Sequence, residues 1–170
     1  MANTYELITS QTLSSSVSTV TFSSIPNTFT DLKLVISART DKAVPYSEPI
    51  QGYFNGSNAN LTYRRLYYSS GSVGSDSGTT GFFGIADSAQ QTASTFGNSE
   101  AYIPNYASSN YKSFSTDSVS ESNAANDYQS QLTASLWSST AAITSITLYG
   151  TYSGNFVSGS TFYLYGIKNS

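Results

Sequence analysis

The chain has 170 residues, a length that suits one folded domain able to bury its own core. It contains no Cys and no His, which excludes a disulfide framework, thiolate zinc sites and Ser-His-Asp catalysis. Charged residues make up only 10% of the chain and the net charge is −3, so the composition disfavours nucleic-acid binding. Because 14 Tyr and 9 Phe are spread along the chain, a packed domain is favoured over a disordered one.

The dominant period of the hydrophobic pattern is two, which is typical of β-strands. Short turn-rich segments separate the alternating stretches, and no stretch of ten residues carries a convincing helical stripe. We therefore predict an all-β protein, a single-domain antiparallel β-sandwich over residues 1–170 that is jelly-roll-like. The predicted strands cover residues 5–10, 19–22, 32–38, 50–54, 61–68, 82–86, 95–103, 112–121, 129–137, 143–149 and 161–167.

Three segments between the strands carry local signals. Asn55-Gly56 is the strongest two-residue turn signal in the chain. Residues 69–81 contain four Gly and almost no apolar side chain, which predicts a mobile loop. Residues 87–95 are rich in Ala and Gln and could hold one helical turn.

Acidic residues offer the remaining route to catalysis. Asp117 and Glu121 lie four positions apart on a predicted strand, so they share a face at a separation of about 13 Å. Paired glycosidase carboxylates lie roughly 5–10 Å apart, so the spacing favours two solvated charges. We predict no catalytic residue, no cofactor and no metal site, and the protein is not expected to be an enzyme.

The segment from Tyr63 to Tyr68 is the main candidate for a contact with a partner. Side chains alternate along a strand, so Tyr63, Arg65 and Tyr67 share one face while Arg64 and Tyr68 lie on the other. Arg between aromatic rings can stack as a cation–π sandwich, and both residue types are enriched at interface centres. The alternative is an edge strand whose Tyr rings cover the core and whose Arg head groups reach water.

The first four residues form a second candidate contact. Met1, Ala2, Asn3 and Thr4 precede the first predicted strand and include no strong apolar anchor. We expect residues 1–4 to be a docking arm that binds a neighbouring chain. The start of the sequence has no basic or apolar stretch of the kind found in signal peptides, and no apolar run is long enough to span a membrane.

Several motifs are similar to those of tailed-bacteriophage virion structural proteins. The group tends to end in an LYGIK strand that follows LW-x-x-TAAITSI and GNF motifs. The corresponding segments here are LWSSTAAITSITL at 136–148, GNF at 154–156 and FYLYGIK at 162–168, with earlier matches at 22–26, 29–32 and 37–39. The matches extend over most of the chain.

The resemblance implies a structural role on the surface of a phage particle, for a chain made in the host cytoplasm. The first hypothesis is a capsid decoration or cement protein that binds the major capsid protein outside the head, self-associates as a homotrimer and stabilises the lattice. The alternative is a receptor- or glycan-binding tip of a tail or head fibre, with a host glycan as its partner. Neither hypothesis involves nucleic acid or a membrane.

Overall fold

The computed structural model describes residues 4–123 and 128–168. Over these residues the chain forms twelve β-strands and no helix, in two antiparallel sheets packed together, so the predicted all-β sandwich is confirmed. None of the described segments is a helix that could cross a membrane. The strands are β1 (Tyr5–Thr12), β2 (Thr19–Phe22), β3 (Asp31–Ala38), β4 (Glu48–Phe54), β5 (Leu61–Ser69), β6 (Ser72–Gly78), β7 (Gly81–Ala86), β8 (Gly97–Ile103), β9 (Lys112–Glu121), β10 (Tyr128–Trp137), β11 (Ile146–Gly150) and β12 (Thr161–Ile167).

The strand order is that of a jelly roll with an extended sheet. The larger sheet runs β1-β12-β3-β8-β9-β10-β5-β6 and the smaller one β2-β11-β4-β7. When the last four strands of the larger sheet are set aside, eight strands remain. Numbered 1 to 8 in chain order, they run 1-8-3-6 in the larger sheet and 2-7-4-5 in the smaller one. This is the order of two Greek keys wound into a jelly roll. Strands β9, β10, β5 and β6, which we call the extension, widen one of its two sheets.

The core lies between the two sheets and contains a group of aromatic rings. The Phe54 ring centroid lies 5.5 Å from that of Phe83, 5.6 Å from that of Phe114 and 5.2 Å from that of Trp137. Each of these side chains is buried, because alternate residues of each strand point into the sandwich. The single Trp therefore packs in the core.

The predicted loop at 69–81 is wrong, because Ser72–Gly78 forms β6 and pairs with β5 at the edge of the larger sheet. Directly opposite Gly74 is Tyr67, and opposite Gly78 is Tyr63. The Tyr rings occupy the space that a Cβ atom at either Gly would need. The glycines therefore accommodate cross-strand aromatic rings within a strand and are not markers of a loop.

The Asn55-Gly56 turn is present, and it shortens a strand elsewhere. The N–H of Ser57 donates to the Phe54 carbonyl at 3.0 Å, which closes the turn. The Asn55 side chain bonds to the segment that precedes β11. Its Oδ1 accepts from the Thr144 N–H at 2.8 Å, and its Nδ2 donates to the Ala142 carbonyl at 2.7 Å. Side-chain partners replace ladder partners there, so the strand predicted at 143–149 is Ile146–Gly150.

Residues 87–95 form hydrogen-bonded turns and no helix. The N–H of Gln91 donates to the Ser88 carbonyl at 3.2 Å, and the N–H of Thr95 donates to the Thr92 carbonyl at 3.3 Å. The Arg39 guanidinium donates to the carbonyls of all three of residues 91, 92 and 95. In a helix these carbonyls would accept hydrogen bonds from N–H groups further along the same helix. Here they accept from Arg39, which directly follows β3.

Candidate binding surfaces of the extension

The pleat of β5 divides the predicted contact segment between two surfaces. Tyr63, Arg65 and Tyr67 point towards the smaller sheet and are partly covered, whereas Arg64 and Tyr68 are exposed on the outer side. Strand β5 lies between β10 and β6, so the edge-strand alternative is wrong. The five residues therefore lie on two surfaces, as the alternation predicts, and their contact with a partner stays a prediction.

Arg65 is held within its own chain by stacking and by a bidentate ion pair. Its guanidinium carbon lies 5.9 Å from the ring centroid of Tyr63, 5.0 Å from that of Tyr67 and 4.9 Å from that of Phe82. Both oxygens of Asp76, directly opposite on β6, accept its hydrogen bonds, with Nε to Oδ1 at 2.9 Å. The predicted cation–π arrangement exists, and it is intramolecular.

A chain of side-chain hydrogen bonds continues from Arg65 across β10. Its Nη1 donates to Gln131 Oε1 at 3.1 Å, and Gln131 Nε2 donates to Gln129 Oε1 at 3.0 Å. Gln129 Nε2 then donates to Ser69 Oγ at 3.1 Å. These four side chains, which we call the polar floor, have fixed orientations because each one holds the next.

Two exposed tyrosines lie beside the polar floor, and together they line an open groove of about 810 Å³. Tyr46 precedes β4 and is 52% exposed, and Tyr152 follows β11 and is 51% exposed. The groove exists because the smaller sheet does not fully cover β5, whose inward residues stay partly exposed while those of β9 are buried. It is lined by Val44, Pro45, Tyr46, Ser47, Pro49, Arg65, Tyr67, Ser69, Ser70, Ser72, Gln129, Gln131 and Tyr152.

Buried polar side chains fix the two segments that carry Tyr46 and Tyr152. Glu48 is fully buried, and its Oε1 accepts from the N–H of Tyr152 at 2.8 Å and of Gly154 at 3.1 Å. Its Oε2 has no hydrogen-bond partner among the described residues. On the other side, Ser88 Oγ donates to the Val44 carbonyl at 2.8 Å. Both tyrosines therefore stand on backbone that is anchored to the interior.

The outer side of the extension carries an exposed apolar patch, which we call the outer patch: Leu66, Tyr68, Val73, Val119 and Leu132. Leu66 and Leu132 are directly opposite each other on β5 and β10 and are 61% and 54% exposed. Val73, opposite Tyr68, is 82% exposed. All five residues line one shallow depression of about 410 Å³. Asp117, directly opposite Leu132 on β9, lines the same depression. Exposed apolar residues that gather in one place are a feature of interaction sites.

Titratable groups lie differently on the two surfaces. On the inner face of β5, burial raises the pKa of Tyr63, and the nearby Asp76 carboxylate raises it further. Asp117 and Glu121 are exposed on the outer side of β9, away from the groove. Over residues 4–123 and 128–168, no three acidic side chains gather into a group that could hold a metal ion.

The proposed docking arm falls almost entirely outside the described residues. Met1, Ala2 and Asn3 are not among them, so their expected contact with a neighbouring chain stays a prediction. Thr4 is exposed, and its carbonyl accepts from the N–H of Lys168 at 3.0 Å. Thr4, the last residue of the proposed arm, is thus hydrogen-bonded to Lys168 of the same chain, the residue that directly follows β12.

Only two of the residues discussed in the groove are connected by a local sequence pattern. Gln129 and Gln131 share a face of β10, which an alternation of amides along a predicted strand could have indicated. Tyr46 and Tyr152 are far apart in sequence and lie outside the strands, so only the fold reveals their proximity. Asp76 lies on β6, within residues 69–81, for which the sequence predicts a loop.

Fold and surfaces together define the chain as a jelly-roll β-sandwich with a widened sheet that offers a polar, aromatic groove inside and an apolar patch outside. No protein-family model, no curated protein and no solved structure matches the chain.

Proposed function

We propose that this protein is a structural component of a tailed-phage virion, a decoration or cement protein that binds the outside of the head through its outer patch. The observation that carries the proposal is the exposure of Leu66, Val73 and Leu132 on the outer side of the larger sheet. The motif resemblance and the jelly-roll strand order support the same role, because jelly rolls recur in viral shells. The role is structural and requires no catalysis.

The mechanism is linkage between binding and assembly. A protein that binds the assembled capsid lattice, and not its separated subunits, stabilises the lattice by mass action. The major capsid protein is the proposed partner, and the outer patch provides apolar area that such docking would remove from water. The proposal includes self-association as a homotrimer, which a native mass measurement of the purified protein tests.

The test compares binding to intact heads with binding to isolated capsid monomers. We expect the unchanged protein to sediment with heads and to show at least tenfold weaker retention on monomers, because a lattice site needs more than one subunit. Equal affinity for both would contradict the cement mechanism. Native mass and head binding are measured on the same preparation, so that a change in self-association is not mistaken for a change in docking.

A matched pair of variants locates the contact. Leu132→Asp places a carboxylate in the outer patch and should weaken head binding by about tenfold or more, because a charge would be buried without a partner. Leu7→Asp is the control, since Leu7 is similarly exposed but lies on β1 at the far edge of the same sheet. If both variants bind heads as the unchanged protein does, docking through the outer patch is wrong.

A further inference from the structure

The groove combines aromatic rings with side chains that both donate and accept hydrogen bonds. Amides and hydroxyls such as those of Gln129, Gln131 and Ser69 can do both, and a ligand rich in hydroxyl groups offers the same mixture. The rings of Tyr46 and Tyr152 are half exposed and offer flat apolar area beside these groups. This combination suits a molecule that has C–H faces and hydroxyl edges.

The charges that line the groove favour an uncharged ligand over an anionic one. Arg65 is the one charged side chain among the residues that line it, and Asp76 neutralises Arg65 through two hydrogen bonds. An anionic ligand would therefore find no free cation among these lining residues. Each amide of the polar floor uses one of its two N–H groups within the floor, and a purely apolar ligand would cover the second N–H of Gln129 and Gln131 without bonding to it, at a cost in affinity. A neutral, hydroxyl-rich ligand avoids both penalties.

The site is also formed in advance. The polar floor is held by its own hydrogen bonds, and Glu48 and Ser88 fix the backbone beside the two tyrosines. Side chains that are already oriented lose less entropy when a ligand binds. The groove volume of about 810 Å³ lies within the usual range of roughly 300–1,000 Å³ for small-molecule sites.

We infer that the groove binds a neutral saccharide, with Tyr46 and Tyr152 packing on the sugar rings and the polar floor bonding to their hydroxyls. The inference does not rest on head docking, because the groove and the outer patch lie on opposite faces of the extension. A protein bound to a surface through the outer patch would leave the groove open.

The experiment applies the full chain to an array of structurally defined neutral and sialylated oligosaccharides. Saturation-transfer NMR and calorimetry with the best-bound neutral oligosaccharide then give the dissociation constant. Tyr46→Ala and Tyr152→Ala should each raise that constant by about tenfold or more, as loss of a central aromatic contact does. Tyr152→Phe keeps the ring and should retain most of the affinity.

Tyr111→Ala is the matched control, because Tyr111 is 61% exposed and lies outside the groove. Thermal unfolding of each variant checks that the fold is intact. The inference is overturned if no neutral oligosaccharide binds, if only sialylated ones bind, or if the Tyr46 and Tyr152 variants bind as well as the Tyr111 variant. Leu132→Asp should keep saccharide binding, which separates this test from that of head docking.

Discussion

Arg65 joins three strands of the extension, because it lies on β5 and bonds to β6 and β10. It is only 14% exposed, it bridges β6 and β10 through Asp76 and Gln131, and it fills the space between Tyr63 and Tyr67. An Arg in this position acts as packing and as a hydrogen-bonding hub, because its planar fork serves two acceptor groups at once. Its main contribution is therefore to the stability of its own chain.

Arg65→Ala should lower the free energy of unfolding by about 1–3 kcal/mol, because Asp76 and the Gln131 carbonyl lose their donor and the rings lose a stacking partner. Arg64→Ala is the control: Arg64 is exposed and should change stability by no more than about 0.5 kcal/mol. Urea unfolding measures both. An Arg65→Ala protein that keeps full stability but has a smaller native mass would instead place Arg65 in an intersubunit contact.

Tyr106 gives the fold a dependence on alkaline pH. It is fully buried, its hydroxyl donates to the Pro26 carbonyl, and burial raises its pKa above the ordinary value of 10.0. Between the unfolded value and the raised folded value, the folded state binds more protons than the unfolded state. The stabilisation is therefore fully present below pH 10 and is lost as pH rises through the folded pKa.

Tyr106→Phe should lower stability at pH 7 by about 1 kcal/mol, because the Pro26 carbonyl loses its donor. It should also make the loss of stability above pH 10 shallower than in the unchanged protein, since one group with a raised pKa is gone. Urea unfolding at pH 7, 9 and 11 measures both effects. Identical slopes above pH 10 in the two proteins would show that Tyr106 does not contribute to the alkaline transition.

At the scale of elements, the β5–β6 hairpin shows how cross-strand pairs create a strand from an unpromising sequence. The composition of 69–81 indicates a loop because Gly and Ser are poor strand formers. Ring packing and an ion pair between the two strands offset this low strand propensity. They come from three consecutive pairs on one face: Tyr63–Gly78, Arg65–Asp76 and Tyr67–Gly74. A pattern within one segment cannot reveal this, because the stabilising partners lie on the neighbouring strand.

Gly74→Val tests the hairpin directly. A side chain at this position would meet the Tyr67 ring, so we expect a loss of about 1–3 kcal/mol and faster hydrogen exchange at the β6 amides. Ser75→Val is the control, because Ser75 is exposed and a β-branched residue suits a strand. If Gly74→Val and Ser75→Val are equally stable, the Tyr67 ring does not lie over Gly74.

At the scale of the whole molecule, the jelly roll provides a scaffold and the extension provides the surfaces. The alternation of the sequence predicts the class of fold and eleven of the twelve strands found among the described residues, because most inward positions are buried. Strand order and sheet membership depend on contacts between distant segments, which leave no local signal. For the same reason the sequence indicates Arg65 and its neighbours but not Tyr46 or Tyr152.

Under the two proposals, the protein would be bound to the head by one face of the extension and would keep the other face open. Docking through the outer patch would cover Leu66 and Leu132, and the groove beside Tyr46 and Tyr152 would stay accessible on the opposite face. A decoration protein of this design would add both stability and a binding function to a particle.

The most direct test of the virion role is an electron-microscope image of the phage particle with this protein labelled, for example through gold-tagged antibody. We predict label distributed at regular positions over the outside of the head, and its loss from particles that carry Leu132→Asp. Label confined to the tail or fibre tips would contradict decoration of the head, and particles without any label would contradict a place in the virion.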